Sequence, residues 1–350
     1  MPAYKDEKTG AWYCKFYYTD WTGTRRQKMK RGFKLQREAK DWERSFLEKQ
    51  SGSPDMTFQA LYDLYLEDIR SRLKESTIHS ITHYMGGRVL PYFKDKPINE
   101  ISPADIRKWQ NGLITDGLRP TTQHTINAKL NTVFNFAVKY YGLQKNPCSV
   151  TGLIGSSTAG EMDFWTLEEF QAFIHGMGNP LYTVLFSILY YAGLRCGEVL
   201  ALTPADIDFE KKTIRVTKTF HRFHCEDVIT TPKTKNSNRS VPIPGFLCNQ
   251  IKDYMERIYG LRESDRLFPV VDSAVRQAFK RWCIKSGVKK IRVHDLRHSH
   301  VSLLIDMGFP AMLIAERIGD TVEMINNTYG HLYPNRHEEV ADRLEQLVSN

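Results

Sequence analysis

The stretch "TGLIGSSTAGE" (Thr151–Glu161) is rich in Gly, Ser and Thr, a linker composition. The chain has 350 residues, too many for one ordinary core. The linker falls where the patterning changes. From residue 57 to residue 150 the apolar residues keep a helical spacing; beyond the linker, helices are interrupted by strand-like runs. The predicted fold class is therefore multidomain α+β. A small β-sheet-plus-helix domain occupies residues 1–50 and a helical bundle residues 57–150. A mainly α domain with a small antiparallel sheet occupies residues 163–350.

Upstream of the linker, Phe58, Leu61, Tyr62, Tyr65, Leu66 and Ile69 share one helical face. "SPAD" (Ser102–Asp105) offers Ser at N-cap, Pro at N1 and an acid at N3 of a third helix. Ile126, Leu130, Val133, Phe134, Ala137, Val138 and Tyr141 mark a fourth, ended by Gly142 and Pro147. Four helices make a compact bundle. Nearer the N-terminus, "AWYCKFYY" (Ala11–Tyr18) alternates Trp12, Cys14, Phe16 and Tyr18 against Tyr13, Lys15 and Tyr17. "DWTG" (Asp20–Gly23) reads as a turn and "TRRQKMKR" (Thr24–Arg31) as a basic returning strand. Leu35 to Gln50 reads as a helix whose Leu35, Ala39, Trp42 and Phe46 cover the apolar face. "SGSPD" (Ser51–Asp55) is a second linker.

Downstream, Thr166 and Glu169 form a capping box, with Trp165 expected to staple onto Phe170. Leu181 to Ala192 is apolar nearly all round, so it belongs in a core. Gly193 stops it, and "LRCGEVLAL" (Leu194–Leu202) starts a short helix. "TIRVTKT" (Thr213–Thr219), "DVITT" (Asp227–Thr231) and "RSVPIP" (Arg239–Pro244) are strand-like; the rest is helical.

The net charge of +9 favours a polyanionic partner. Residues 1–55 hold 13 Lys/Arg against 8 Asp/Glu, and "TRRQKMKRGFK" (Thr24–Lys34) has six bases and no acid. A β-ribbon with a basic, aromatic outer face can enter a major groove. Lys15, Tyr17, Arg25, Arg26, Lys28 and Lys30 are its candidate DNA contacts. Six cysteines without a CxxC pair fit a reducing compartment. "MPAYKDEK" (Met1–Lys8) is charged from the start, unlike a signal peptide. The longest apolar run, Pro180 to Leu194, is too short and tyrosine-rich to span a bilayer. A cytoplasmic protein without a membrane partner is expected. "HRFHC" (His221–Cys225) reads as a polar hairpin tip rather than a metal site.

"VHDLRHSHVSLL" (Val293–Leu304) places His294, Arg297 and His298 at i, i+3 and i+4 on one helical face. Such a face gathers cationic donors for an anion. His298 and His300 read as packing or surface residues. With "GLRCGE" (Gly193–Glu198), "TPKTKNSNR" (Thr231–Arg239) and "TYGHLYP" (Thr328–Pro334), the motif order and spacing resemble the tyrosine recombinase (phage-integrase) family. The resemblance spans the catalytic domain from about Asp163 onward. Residues 57–150 look like that family's core-site binding domain. Residues 1–50 are similar to the three-stranded arm-binding domain of integrases from conjugative transposons and temperate phages.

The resemblance implies a site-specific recombinase that cuts and rejoins DNA through a 3′-phosphotyrosine, integrating and excising a mobile element. It implies a homotetramer on double-stranded DNA at core and arm sites, passing through a Holliday junction, and an accessory excision factor. Tyr329 is the matched nucleophile, with Tyr333 its local rival. Arg195 and Arg297 are the matched phosphate clamp, and forked, permanently charged guanidinium groups suit two phosphate oxygens. His294 is matched as base or hydrogen-bond partner, and Lys233 as general acid, with Lys235 also open. A phosphotyrosine ester has an energy close to that of the bond broken, so no cofactor, metal or ATP is expected. One position departs from the pattern. Nine residues before Tyr329 the family usually has His, whereas "RIGD" (Arg317–Asp320) puts Asp320 there. An ionised Asp repels phosphate, so either it points elsewhere, for instance to an arginine, or a group such as His331 replaces the donor.

Glu198, one turn beyond Arg195, reads as an orienting residue. "HEEVADRLEQLVSN" (His337–Asn350) is amphipathic by Val340, Leu344 and Leu347, and can dock in trans or pack on its own domain. Two other readings stay open: a DNA-binding regulator with vestigial catalytic residues, suggested by Asp320, and a metal-dependent nuclease, which lacks clustered carboxylates.

Overall fold

The computed structural model describes residues 3–6, 9–19, 25–51, 56–157, 162–223, 225–231, 237–333 and 345. It divides into two compact units, Met1–Gly160 and Glu161–Asn350.

The first unit opens with strands β1 (Ala3–Lys5), β2 (Trp12–Thr19) and β3 (Arg25–Phe33), an antiparallel sheet in that order. Helix α1 (Gln36–Ser51) packs Ala39, Trp42 and Phe46 onto Cys14 and Phe16. Leu35 departs from the expected stripe: it precedes the helix and is 60% exposed. β1 is only three residues long, too short to show alternation in sequence. The expected turn at 20–23 and most of the second linker lie outside the described residues.

Helices α2 (Phe58–Arg70), α3 (Glu75–Tyr84), α4 (Leu90–Phe93), α5 (Pro103–Thr115), α6 (Pro120–Tyr140) and α7 (Pro147–Thr151) enclose a core that includes Phe58, Leu61, Phe93, Trp109 and Phe134. A π-helical turn, Met85–Val89, joins α3 to α4. Ser102 caps α5 as expected, and with Asp105 at N3 it closes a capping box. Val138, assigned to the buried stripe, is exposed. The first half of the glycine-rich linker is packed rather than loose. Gln110 donates to the Gly152 carbonyl at 2.8 Å and Ser156 N–H to the Pro120 carbonyl at 3.2 Å. Gly155, at φ +78°, sits so close that a Cβ would fall 2.0 Å from that carbonyl oxygen.

The second unit has helices α8 (Leu167–Ile174), α9 (Pro180–Tyr191) and α10 (Cys196–Leu200), then strands β4 (Ile207–Asp208), β5 (Thr213–Val216), β6 (Thr219–Phe223), β7 (Glu226–Thr230) and β8 (Arg239–Pro242). β4, β5 and β8 form one antiparallel sheet, and β6 and β7 a separate hairpin. His221 to Phe223 belong to β6 itself, with Cys225 at the turn. Helices α11 (Gly245–Glu256), α12 (Asp272–Ser286), α13 (Asp295–Asp306), α14 (Ala311–Ile318) and α15 (Val322–Tyr329) follow. Leu185, Phe186, Ile188 and Leu189 put α9 inside the core, as its all-round apolarity requires. The Thr166–Glu169 box forms. Trp165 packs on Phe173 and on Phe279 of α12, whereas Phe170 stacks on Tyr190. Among the described residues no helix is long and apolar enough to cross a membrane.

Gly193 ends α9 at φ +66°, and a Cβ there would lie 2.4 Å from the His300 ring. Gly260, at φ +69°, faces open space. Gly260→Ala is expected to cost about 1 kcal/mol for the left-handed backbone alone. Gly193→Ala adds a core clash of about 1–3 kcal/mol. Urea melts of the two variants check this; equal losses would show that His300 yields freely.

Candidate active site

Three turns converge on one anionic oxygen. The Gly193 turn delivers Arg195 to the N-cap of α10. Its Nη2 donates to Asp320 Oδ2 at 2.8 Å and its Nη1 to Glu198 Oε1 at 3.1 Å. Arg297, buried in the first turn of α13, donates from Nη1 to the Gly193 carbonyl at 2.6 Å. Its Nη2 donates to the Ile318 carbonyl at 2.7 Å and to Asp320 Oδ2 at 3.3 Å. Asp320 follows the left-handed Gly319 that closes α14. The Asp320 carboxylate thus points to both arginines. Burial and the Arg195 charge push Arg297 down to about 10, so it stays charged at neutral pH.

Beneath this pair lies Glu198, 3% exposed. Arg239 of β8 donates to it from Nη2 at 3.0 Å, and from Nε to the Arg317 carbonyl at 2.9 Å. Burial pulls the Glu198 carboxyl upward, but Arg239 and Arg195 outweigh it and hold it below its ordinary value.

Tyr329 ends α15 and is 2% exposed. Its Oη lies 2.5 Å from His298 Nδ1. Burial raises the phenol well above its ordinary range, and the Arg297 charge opposes that rise. The sequence reads His298 as a packing or surface residue; the structure sets it against the matched tyrosine. Burial, with His294 beside it, pushes its ring down to about 4, so this member of the three-residue face is neutral at pH 7. His294 stays exposed at the start of α13, with its ring edge-on to His298 at 5.1 Å. His300 is buried and accepts from Arg317 Nε at 3.0 Å, the packing role read from sequence. His331 is exposed and Tyr333 half-buried. Lys233 and Lys235 lie outside the described residues, as does nearly all of the terminal amphipathic segment.

In the first unit, strand register divides the six candidate DNA contacts. Residues directly opposite in an antiparallel pair share a face. Phe16 faces Lys28 and Cys14 faces Lys30, so both lysines lie on the side that α1 covers. Their Nζ atoms sit over the Phe46 and Trp42 rings. Lys15, Tyr17 and Arg25 take the outer side, where Arg25 Cζ stacks 4.7 Å over the Tyr17 ring. Arg31, stacked on Tyr13 and not singled out in the sequence, joins this basic surface. Arg26 pairs with Tyr18 in the backbone register.

The phage integrase family model matches residues 166–336. The phage integrase N-terminal SAM-like domain matches 57–114, and an arm DNA-binding domain 2–50. The ICEBs1 integrase of Bacillus subtilis (strain 168) is 32% identical over 93% of this chain and 91% of its own length. The chain belongs to the phage integrase family. It is a tyrosine-type site-specific recombinase that integrates and excises a mobile element. The recombinase also shares its fold with the Tn1549 transposon integrase in complex with transposon right end DNA. That match has a TM-score of 0.70 at 20% identity, over 84% of this chain and all of the other. A lambda integrase tetramer bound to a Holliday junction matches with a TM-score of 0.59 at 15% identity, over 92% of this chain and 96% of the other.

In the recombinase, Glu198→Ala leaves the nearly buried Arg239 without its carboxylate, and a cost of about 3–5 kcal/mol is expected. The carboxyl is held below its unfolded value of about 4.3. It therefore contributes stability above that pH and loses it as the pH falls through the lower folded value. Denaturant melts from pH 7 to 3 should show that part of the acid loss missing in Glu198→Gln.

Proposed function

We propose that Tyr329 attacks a DNA phosphodiester while Arg195 and Arg297 hold its non-bridging oxygens. The observation that carries this reading is the convergence of both guanidinium groups on the single oxygen Asp320 Oδ2. An arrangement that grips one anionic oxygen suits the phosphate group, whose negative charge otherwise repels a nucleophile. Asp320 answers the departure noted in the sequence by pointing to arginine. It is a quarter exposed, and a phosphate oxygen entering between the guanidinium groups takes its place. Lys233 protonates the departing 5′-oxygen.

Residues 163–350 act as the catalytic domain, 57–150 bind the core site and 1–50 bind arm sites through the outer face of the ribbon. The partner is double-stranded DNA. A homotetramer assembles on it and exchanges one strand pair at a time through a Holliday junction, with an accessory factor setting excision.

A nicked suicide substrate in EDTA tests the chemistry. A covalent protein–DNA adduct is expected, absent in Tyr329→Phe. Tight binding of an authentic site without an adduct would favour a regulator, and dependence on divalent metal a nuclease. Arg195→Ala should lose at least about a hundredfold in adduct formation, whereas Asp320→Ala retains measurable cleavage. Equal losses would make Asp320 essential rather than tolerated. Deleting residues 1–50 should flatten the salt dependence of arm-DNA binding, each lost phosphate contact removing a log–log slope of about 0.9. An unchanged slope would leave the ribbon as a solvated face.

A further inference from the structure

A phenol attacks phosphorus only as it gives up its proton, and burial makes the Tyr329 proton harder to lose. The acceptor must lie within hydrogen-bond reach of Oη. His298 Nδ1 meets that requirement at 2.5 Å, held there by the packing of α13 and α15. The other ring nitrogen, Nε2, lies 4.0 Å from Asp295 Oδ1. Asp295 is 2% exposed and fixed from one side: Arg292 donates to it from Nη2 at 2.7 Å, from Nε at 3.0 Å and from its backbone N–H at 2.7 Å. A proton on Nε2 then faces a carboxylate, which leaves the Nδ1 lone pair for the phenol.

We propose that His298 is the general base of strand cleavage, taking the Tyr329 proton on Nδ1 while Asp295 stabilises the imidazolium that forms. This rests on Tyr329 as the nucleophile. The Oη–H bond breaks as Nδ1–H forms, and the phenolate oxygen bonds to phosphorus. The P–O5′ bond breaks, and the 5′-oxygen takes its proton from the general acid. On religation the incoming 5′-hydroxyl gives its proton to that acid's conjugate base, and His298 returns its own to the departing Tyr329, so no net proton is consumed.

The charged and titratable groups around the ring are His294, Asp295 and Arg297 of its own segment, Arg292 just before it, and Tyr329 from α15. Burial first, then the charges of His294, Arg292 and Arg297, outweigh the opposing pull of Asp295 and keep the ring neutral down to about pH 4, so the base is ready throughout the neutral range. His294, at the exposed start of the helix, is left to meet the phosphate rather than the phenol.

The test is single-turnover adduct formation by the full chain on the suicide substrate. His298→Asn keeps a polar side chain of similar reach but cannot take the proton, and a fall of at least about a hundredfold is expected. The wild-type rate should be nearly flat between pH 6 and 8, whereas the variant's should climb with pH as hydroxide replaces the base. Installing 3,5-difluorotyrosine at position 329, with its more acidic phenol, should recover most of the variant's loss. A rate within about threefold of wild type, or a deficit that fluorination leaves unchanged, would reduce His298 to packing. His298→Gln provides the same series should the Asn variant fail to bind DNA. An adduct that persists in Tyr329→Phe would overturn the nucleophile itself, whatever His298 does.

Discussion

One carboxylate oxygen, Asp320 Oδ2, lies 2.8 Å from one guanidinium and 3.3 Å from another. Like charges brought this close, one of them buried, repel unless an anion sits between them. The positions of Arg195 and Arg297 therefore depend on a compensating anion, and the fold supplies one from the residue after α14. With Arg239 and Glu198 included, the network sets three guanidinium groups against two carboxylates. It carries positive charge in excess even with both acids in place, and a phosphodiester is the kind of group that relieves it.

The rest of the second unit fixes those charges in space. Gly193 turns the chain out of a helix whose second half is buried, and its carbonyl holds Arg297 from behind while the next residues present Arg195. Glu198, at the third position of α10, ties Arg195 to Arg239 on a strand 41 residues away. A neutral residue in place of Glu198 would leave the nearly buried Arg239 without its carboxylate.

Much of this was legible in the sequence. Alternation in "AWYCKFYY", the capping residues at Ser102 and Thr166 and the apolar α9 each rest on local rules that tertiary packing did not override; the four motifs were legible by resemblance to a family. What was illegible required knowing which strand positions face each other. The side taken by Lys28 and Lys30 depends on how many residues the preceding turn consumes, and one residue's slip would have moved both to the outer face. His298 carried a signal, since it shares a face with His294 and Arg297. Only the fold, however, brings Tyr329 to the fourth residue of α13. The Arg239–Glu198 pair left no local trace at all. Trp165 stacks on Phe279 of α12, whereas the face of Phe170 is taken by Tyr190, a pairing between helices that local spacing does not encode.

The stacking of Arg25 on Tyr17 bears on how the outer face of the ribbon engages anything. A free arginine side chain samples many rotamers and must surrender most of them on docking. Resting flat against an aromatic ring, this one has already given up part of that freedom in the unbound chain. The immobilisation penalty of docking is correspondingly smaller, which makes the ribbon stiffer and more selective in the angle at which it meets a rigid, grooved surface.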